Sequence, residues 1–192
     1  MSTPHLQVIL GSTRTGRFGD RVADWFMRHT AGRADLTAEL VDLRDWPLPF
    51  YDQQRPPMMG GYTDDLQQRW ADKVAAADGY VFVTPEYNHG YPAVLKNALD
   101  HLYAEWNDKP AAFVGYGGPS GGIRAVEQLR QVVIELEMVP MRNQVALPAV
   151  YRLFHDGPPS DPALDAAADA VLVEVAGWAD RLRAHPTARS AA

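Results

Sequence analysis

The chain has 192 residues, a formal net charge of −6 from 18 basic and 24 acidic residues, and no cysteine. The acidic balance disfavours a nucleic-acid-binding surface, and the lack of cysteine excludes disulfides, thiolate metal sites and cysteine nucleophiles. No segment approaches the roughly 20 apolar residues of a membrane-spanning helix, and the opening MSTPHLQVIL lacks the basic and apolar regions of a signal peptide. We therefore expect one cytoplasmic domain over residues 1–184, a disordered tail at 185–192, and binding to neither nucleic acid nor membrane.

Strand-like and helix-like segments alternate along the chain. Apolar runs predict strands at residues 5–10, 36–43, 79–84, 111–116 and 138–147. Each strand is followed by a segment with apolar residues at helical spacing, and Thr63 and Asp161 are expected to cap the second and the last of these helices. Five strands alternating with five helices predict a parallel sheet with helices on both faces.

A long segment before the second helix, RDWPLPFYDQQRPPMMGGY at residues 44–62, is rich in proline, glycine and aromatic residues. Loops of this length are usually functional or disordered, and the aromatic residues argue against disorder. Trp46 in this loop and Trp106 beside a later loop are candidates for an interface. The apolar helix faces carry three tryptophans that are expected in the core: Trp25, Trp70 and Trp178.

Glycine- or proline-rich loops follow the first, third and fourth predicted strands, and they are expected to meet because the carboxyl ends of parallel strands share one edge. The first loop, GSTRTGRFG at residues 11–19, leads into a helix whose free N–H groups favour an anion. Arg14 and Arg17 can neutralise a phosphate dianion. The loop lacks the Gly-Lys-Ser/Thr ending of a P-loop, and Thr13 breaks the G-x-G-x-x-G dinucleotide pattern. The alternative is a plain turn with surface arginines.

The second loop, PEYNHGYP at residues 85–92, suits a flat heteroaromatic ligand, with stacking from Tyr87 and hydrogen bonds from Glu86 and Asn88. Taken alone, Glu86 could instead be a solvated loop charge or form an ion pair with an arginine, and His89 is more typical of a surface or helix-capping histidine than of a ligand-binding one.

The third loop, GYGGPSGG at residues 115–122, contains five glycines. That composition costs backbone entropy, so it predicts either the close approach of a ligand or a strained turn between strand and helix.

With these loops in this order, the chain resembles the NADPH-dependent FMN reductase family, whose members include flavin, quinone, azo-dye and chromate reductases. The resemblance covers roughly residues 6–183 and rests on LGSTRTGRFGDRVADW, DLRDWPLPFYD, VTPEYNHGYPAVLKNALDHL and GYGGPSGGIRAVEQLR. It implies a flavodoxin-like three-layer α/β sandwich with a five-stranded parallel sheet in the order 2-1-3-4-5. It also implies FMN as the cofactor and NADPH or NADH as the co-substrate.

The resemblance further implies which residues bind FMN. The phosphate would be held by Ser12, Arg14, Arg17, Phe18 and Gly19. The ribityl chain and isoalloxazine ring would be lined by Pro85, Glu86, Tyr87 and Asn88. The flavin would be faced from the third loop by Gly117, Ser120, Gly121 and Gly122. Many relatives have Ser and Asn where this chain has Arg17 and Gly19.

The implied activity is hydride transfer from NADPH or NADH to FMN, followed by two-electron reduction of a small acceptor such as a flavin, quinone, azo compound or chromate. No catalytic side chain and no metal are expected. The family also implies a homodimer or homotetramer, in which the loop at residues 46–62 covers the flavin of a neighbouring subunit. Two alternatives remain, a non-catalytic flavodoxin-type electron carrier and a flavin redox sensor. The loop arginines and the mild net charge disfavour the carrier, and the lack of an output domain disfavours the sensor.

Overall fold

A parallel sheet of five strands organises the protein, whose residues 2–185 are described by a computed structural model. The strands are β1 His5–Leu10, β2 Thr37–Asp42, β3 Gly79–Pro85, β4 Pro110–Tyr116 and β5 Val139–Leu147. They pair in the order β2-β1-β3-β4-β5, and every pairing is parallel. The predicted sheet and its order are confirmed. Of the predicted tail, residues 186–192 lie outside the described residues.

Helices cover both faces of the sheet, as predicted. They are α1 Gly19–Thr30, α2 Asp65–Ala75, α3 Ala93–Asp100, α4 Ile123–Glu135, α5 Val150–Leu153 and α6 Pro162–Ala184. Helices α1 and α6 pack on one face, and α2, α3 and α4 pack on the other. The short α5 was not expected from the sequence. No helix in the described part of the chain is long and apolar enough to cross a membrane.

The apolar runs of the sequence explain which strands are central. All seven residues of β3 and all seven of β4 are buried, as expected for parallel strands covered on both faces. Strand β2 lies at an edge and is mostly exposed or half-buried. The chain adds β2 on one side of β1 and β3 on the other, so the strand order reverses at β1. In sheets of this kind ligands bind at the carboxyl ends of the strands beside that reversal.

Two expectations about individual residues are wrong. Asp64, not Thr63, caps α2, since its carboxylate accepts the Gln67 N–H at 2.8 Å. Trp106 is fully buried rather than at an interface, and its indole N–H donates to the Leu99 carbonyl at 3.1 Å. The predicted start of α6 is confirmed, because Asp161 accepts a hydrogen bond from the Ala163 N–H at 2.9 Å.

The long loop at residues 46–62 is tied to α3 although it leaves large apolar side chains exposed. Asn97 donates to the Pro49 carbonyl at 2.9 Å and accepts from the Tyr51 N–H at 3.3 Å. Phe50, Met58 and Met59 remain at least 65% exposed. The loop is therefore anchored at its base and presents apolar groups outward.

Candidate functional site

The three loops predicted from the sequence meet at the carboxyl edge of the sheet. The Gly11 N–H donates to the Val83 carbonyl at 2.9 Å, which joins the ends of β1 and β3. The hydroxyls of Ser12 and Tyr87 lie 2.8 Å apart and connect the first loop to the second. The Glu86 N–H donates to the Tyr116 carbonyl at 3.0 Å and connects the second loop to the end of β4. The fold thus brings the predicted site residues together.

The first loop delivers an uncapped helix N-terminus to this edge. The Arg17 N–H donates to the Arg14 carbonyl at 3.1 Å, which closes a turn whose third residue, Gly16, has a φ of 66°. A positive φ at that position favours glycine. Helix α1 then starts after Phe18, whose side chain makes no capping hydrogen bond. Helices α2 and α6, by contrast, are capped by aspartates. The free N–H groups and the dipole of α1 are therefore available to an external anion.

The two arginines of this loop have different environments. Arg14 is exposed, and within the described part of the chain its guanidinium makes one contact, at 3.5 Å from the Gly16 carbonyl. Arg17 is buried and forms ion pairs with Asp20 and Asp42, each at 2.5 Å. Burial alone would lower the pKa of Arg17, but the hydrogen bonds with Asp42 and Asp20 raise it above its ordinary value. Arg14 is free to reach a ligand, whereas the charge of Arg17 is already matched.

The second loop contains a tight reverse turn. The N–H and carbonyl groups of Tyr87 and Gly90 form a reciprocal pair of hydrogen bonds at 2.8 and 2.9 Å. The two residues between them, Asn88 and His89, have φ values of 49° and 70°. Positive φ at both central positions is typical of a type I′ turn, in which asparagine is favoured. This turn leaves Tyr87 and Asn88 exposed. His89 is exposed as well, so it is a surface histidine rather than a helix cap.

Glu86 joins the second loop to α4 through an ion pair with Arg124, so it is not a solvated loop charge. Its side chain is 5% exposed, accepts the Arg124 N–H at 3.1 Å and pairs with the Arg124 guanidinium at 2.5 Å. It thereby supplies the N-terminal acceptor that α4 lacks at Gly122. Burial alone would raise the pKa of Glu86, but hydrogen bonds from Arg124 and Ser120 lower it below its ordinary value.

Glu86→Ala is expected to lower the free energy of unfolding by about 1–2 kcal/mol at pH 7. Hydrogen bonds to a charged group contribute about 1.5–3 kcal/mol, and water around the half-exposed Arg124 screens part of that contribution. A carboxylate with a lowered pKa stabilises the fold above its unfolded-state pKa, and this stabilisation is lost as the pH falls through the folded-state pKa. The difference between wild type and variant should therefore shrink in acid unfolding series. Glu127→Ala, at a 66% exposed side chain of the same helix, is the control and should change stability little. Equal effects of the two substitutions would contradict this role of Glu86.

The packing of the third loop accounts for two of its glycines. Gly121 and Gly122 have φ values of +63° and +87°, and a Cβ would lie 2.8 Å from the Pro148 nitrogen or 2.5 Å from the Tyr116 nitrogen. These two glycines are therefore explained by a tight turn between strand and helix, because the loop packs against the ends of β4 and β5. Gly117 and Ser120 are only half-buried and border the open side of the site.

The sequence analysis missed four residues that shape the site: Asp42, Arg44, Tyr116 and Arg124. Asp42 ends β2 at the same sheet edge, so the rule that located the three loops also applies to it. Tyr116 lies beneath α1, where a Cβ on Gly19 would be 2.6 Å from its hydroxyl. This contact gives the reason for Gly19. Burial raises the pKa of Tyr116, whose hydroxyl has no hydrogen-bond partner among the described residues.

The geometry fits a phosphate monoester carried by a flat aromatic group. At one end, the uncapped N-terminus of α1 and the exposed Arg14 provide donors and positive charge. At the other end, the exposed Tyr87–Gly90 turn lies beside the half-buried Gly117, where an added Cβ would be 3.5 Å from the Glu86 Cβ. No metal-binding group of three or more histidine, aspartate or glutamate side chains occurs within residues 2–185. FMN has the phosphate and the flat ring that such an arrangement accommodates.

Comparisons with known proteins lead to the same ligand. The sequence profile of the NADPH-dependent FMN reductase family matches residues 4–151. An NAD(P)H-dependent FMN reductase of Schizosaccharomyces pombe is 45% identical over 150 residues, which cover 76% of this chain and 74% of that protein. Another, from a Nectria species, is 34% identical over 164 residues, covering 79% and 81%. Among solved structures, the flavoenzyme NAD(P)H:(acceptor) oxidoreductase FerB of Paracoccus denitrificans has a TM-score of 0.76 at 22% identity, covering 93% of this chain and 98% of FerB. That last similarity is one of fold.

Proposed function

The chain belongs to the NADPH-dependent FMN reductase family and is an NAD(P)H- and FMN-dependent oxidoreductase, and from this we propose that its three-loop edge binds FMN and passes two electrons to a small exchanging acceptor. The observation that carries the proposal is the uncapped start of α1 beside the exposed Arg14, in a loop joined to the exposed Tyr87 through Ser12. In the proposal, the Tyr87–Gly90 turn and the half-buried Gly117 and Ser120 form a shelf for the ring. The proposed acceptors are free flavin, quinones, azo compounds and chromate. A cytoplasmic location is proposed with them, because the reaction draws on cellular NAD(P)H.

In this proposal the protein binds and orients, and FMN when bound supplies the hydride and electron chemistry. The first-turn N–H groups of α1 and the Arg14 guanidinium hold the phosphate, with Ser12, Phe18 and Gly19 forming the adjoining backbone. Pro85, Tyr87 and Asn88 support one side of the ring. Glu86 keeps the second and third loops in register through Arg124, so that Gly117 and Ser120 border the other side. No side chain is required as a nucleophile.

Steady-state oxidation of NADPH and of NADH with a matched panel of acceptors tests this function. The panel contains a benzoquinone, an azo dye, chromate and free FMN, each added to the FMN-loaded protein. We expect catalytic turnover with at least one acceptor, because a site in which the acceptor stacks on a flat ring is permissive for its shape. Bound FMN with no turnover on any acceptor would instead favour the electron carrier or the redox sensor.

We further propose a homodimer or homotetramer in which the loop at residues 46–62 meets a neighbouring subunit near its flavin. The exposure of Phe50, Met58 and Met59 supports this, since several large apolar side chains exposed on one loop are typical of a protein contact. Light scattering of the active protein should give a multiple of 21.2 kDa. A fully active monomer would contradict the arrangement.

A further inference from the structure

We propose that Arg17 is a positioning residue for phosphate binding: held by Asp42 and Asp20, it fixes the first loop so that backbone N–H groups face the anion, and it does not bind the phosphate itself. The inference rests on the proposed FMN site and assigns a role to an ion-pair cluster beside it, in which Arg17 alone is fully buried. The cluster consists of Arg17, Asp20, Asp42 and Arg44.

The hydrogen bonds of Arg17 leave no donor for a ligand. A guanidinium has five N–H groups. The Nε donates to Asp20 at 2.9 Å, and Nη2 donates to Asp20 and Asp42, both at 2.5 Å. The remaining Nη1 donates to Asp42 at 2.8 Å and to the Ser12 carbonyl. With 1% of its side chain exposed, Arg17 is fully occupied by the protein.

The contact with Ser12 determines the direction of the next N–H. A trans peptide places its carbonyl and its N–H on opposite sides, and no described peptide bond is cis. Because the Ser12 carbonyl turns inward to Arg17, the Thr13 N–H turns outward. The Arg14 carbonyl accepts a hydrogen bond from the Arg44 guanidinium at 2.9 Å, so the Thr15 N–H points away from Arg44. Neither N–H has an acceptor within the described chain.

The charges of the cluster cancel. Two guanidiniums, of Arg17 and Arg44, face two carboxylates, of Asp20 and Asp42. Burial alone would raise the pKa of Asp42, but hydrogen bonds from Arg17 and from the Arg44 N–H lower it, so the carboxylate is ionised at neutral pH. The phosphate charge is therefore left to Arg14 and to the backbone N–H groups of the loop and of the start of α1. A loop already in its binding shape loses less entropy on binding, which is the advantage of such a cluster.

Asp42→Asn separates positioning from direct binding, because the two roles predict opposite changes. Asparagine keeps the carbonyl that accepts the Arg44 N–H at 2.9 Å but loses the charge that holds Arg17. If Arg17 positions the loop, the Kd for FMN should rise roughly tenfold, while the Kd for riboflavin, which has no phosphate, stays unchanged. If Arg17 is a phosphate ligand, the substitution frees it and removes a nearby negative charge, so FMN should bind more tightly. Unchanged or tighter FMN binding overturns the inference.

Arg17→Lys provides a second test that does not depend on Asp42. A lysine retains the positive charge but lacks the planar fork that joins Ser12, Asp20 and Asp42. Positioning predicts a loss of FMN affinity as large as that of Arg17→Met, whereas a direct charge contact predicts rescue by lysine and would overturn the inference.

Both ligands are titrated by fluorescence into apo-protein, with circular dichroism confirming that each variant is folded. Asp35→Asn is the matched control. It removes a carboxylate that forms an ion pair with Arg33 at 2.7 Å, outside the first loop, and it should leave both Kd values unchanged. Failure of the wild-type protein to bind FMN would reject the proposed site as a whole. Normal wild-type binding with tighter binding by Asp42→Asn would reject only the positioning role.

Discussion

Gly122→Ala is expected to lower the free energy of unfolding by about 3 kcal/mol or more, since strained backbone and overpacking each cost about 1–3 kcal/mol. The residue has a φ of +87°, and an added Cβ would lie 2.5 Å from the Tyr116 nitrogen and 2.6 Å from the Gly115 carbonyl carbon. Both neighbours are backbone atoms of the central strand β4, which cannot move aside. Equilibrium urea unfolding of the apo-protein measures the loss as a lower midpoint.

Gly118→Ala is the matched control in the same loop. Gly118 does not have a positive φ, and no heavy atom lies within 4 Å of an added Cβ. The free energy of unfolding of the Gly118→Ala variant should stay within about 0.5 kcal/mol of that of the wild type. Equal tolerance of alanine at both positions would contradict the packing of this loop against β4, and with it the shape of the proposed shelf.

Arg14→Ala is expected to raise the Kd for FMN tenfold to a hundredfold, because a charge-assisted hydrogen bond to phosphate contributes roughly 1.5–3 kcal/mol. The side chain is exposed and makes a single long hydrogen bond among residues 2–185, so little stability should be lost. Titration of apo-protein with FMN, followed by flavin fluorescence, measures the change. Riboflavin affinity should not change, because the loss concerns the phosphate.

The exposed Arg69 on α2 provides the control for charge alone. Arg69→Ala removes the same charge from the chain and should leave the FMN affinity as it is. If Arg14→Ala binds FMN as well as the wild type does, the assignment of the phosphate to the start of α1 is wrong.

Much of the fold follows from local sequence pattern. The apolar runs of β3 and β4 predict buried central strands, and all their residues are buried. The alternation of strands and helices predicts the parallel sheet and so the edge at which the loops meet. The strand order came from the family resemblance, because local pattern does not determine which side of β1 receives β3.

The remaining details depend on contacts between distant residues. Arg14 and Arg17 look alike in the sequence, and a large part of their difference comes from Asp42, at the end of another strand, which binds Arg17 at 2.5 Å. Trp106 lies beside a loop in sequence, but its ring packs 4.9 Å from that of Tyr80 in the core. Similarly, the glycines at 121 and 122 are explained by the adjoining strand ends, which a sequence pattern does not place beside them.

The most direct test of the account is an absorbance spectrum of the purified protein, recorded with added FMN and then after anaerobic addition of NADPH. The account predicts protein-bound flavin bands that bleach with NADPH and return when a quinone or air is admitted. Bound flavin that stays oxidised would contradict the reductase activity and favour a carrier or sensor. No binding of FMN would contradict the site built from the three loops.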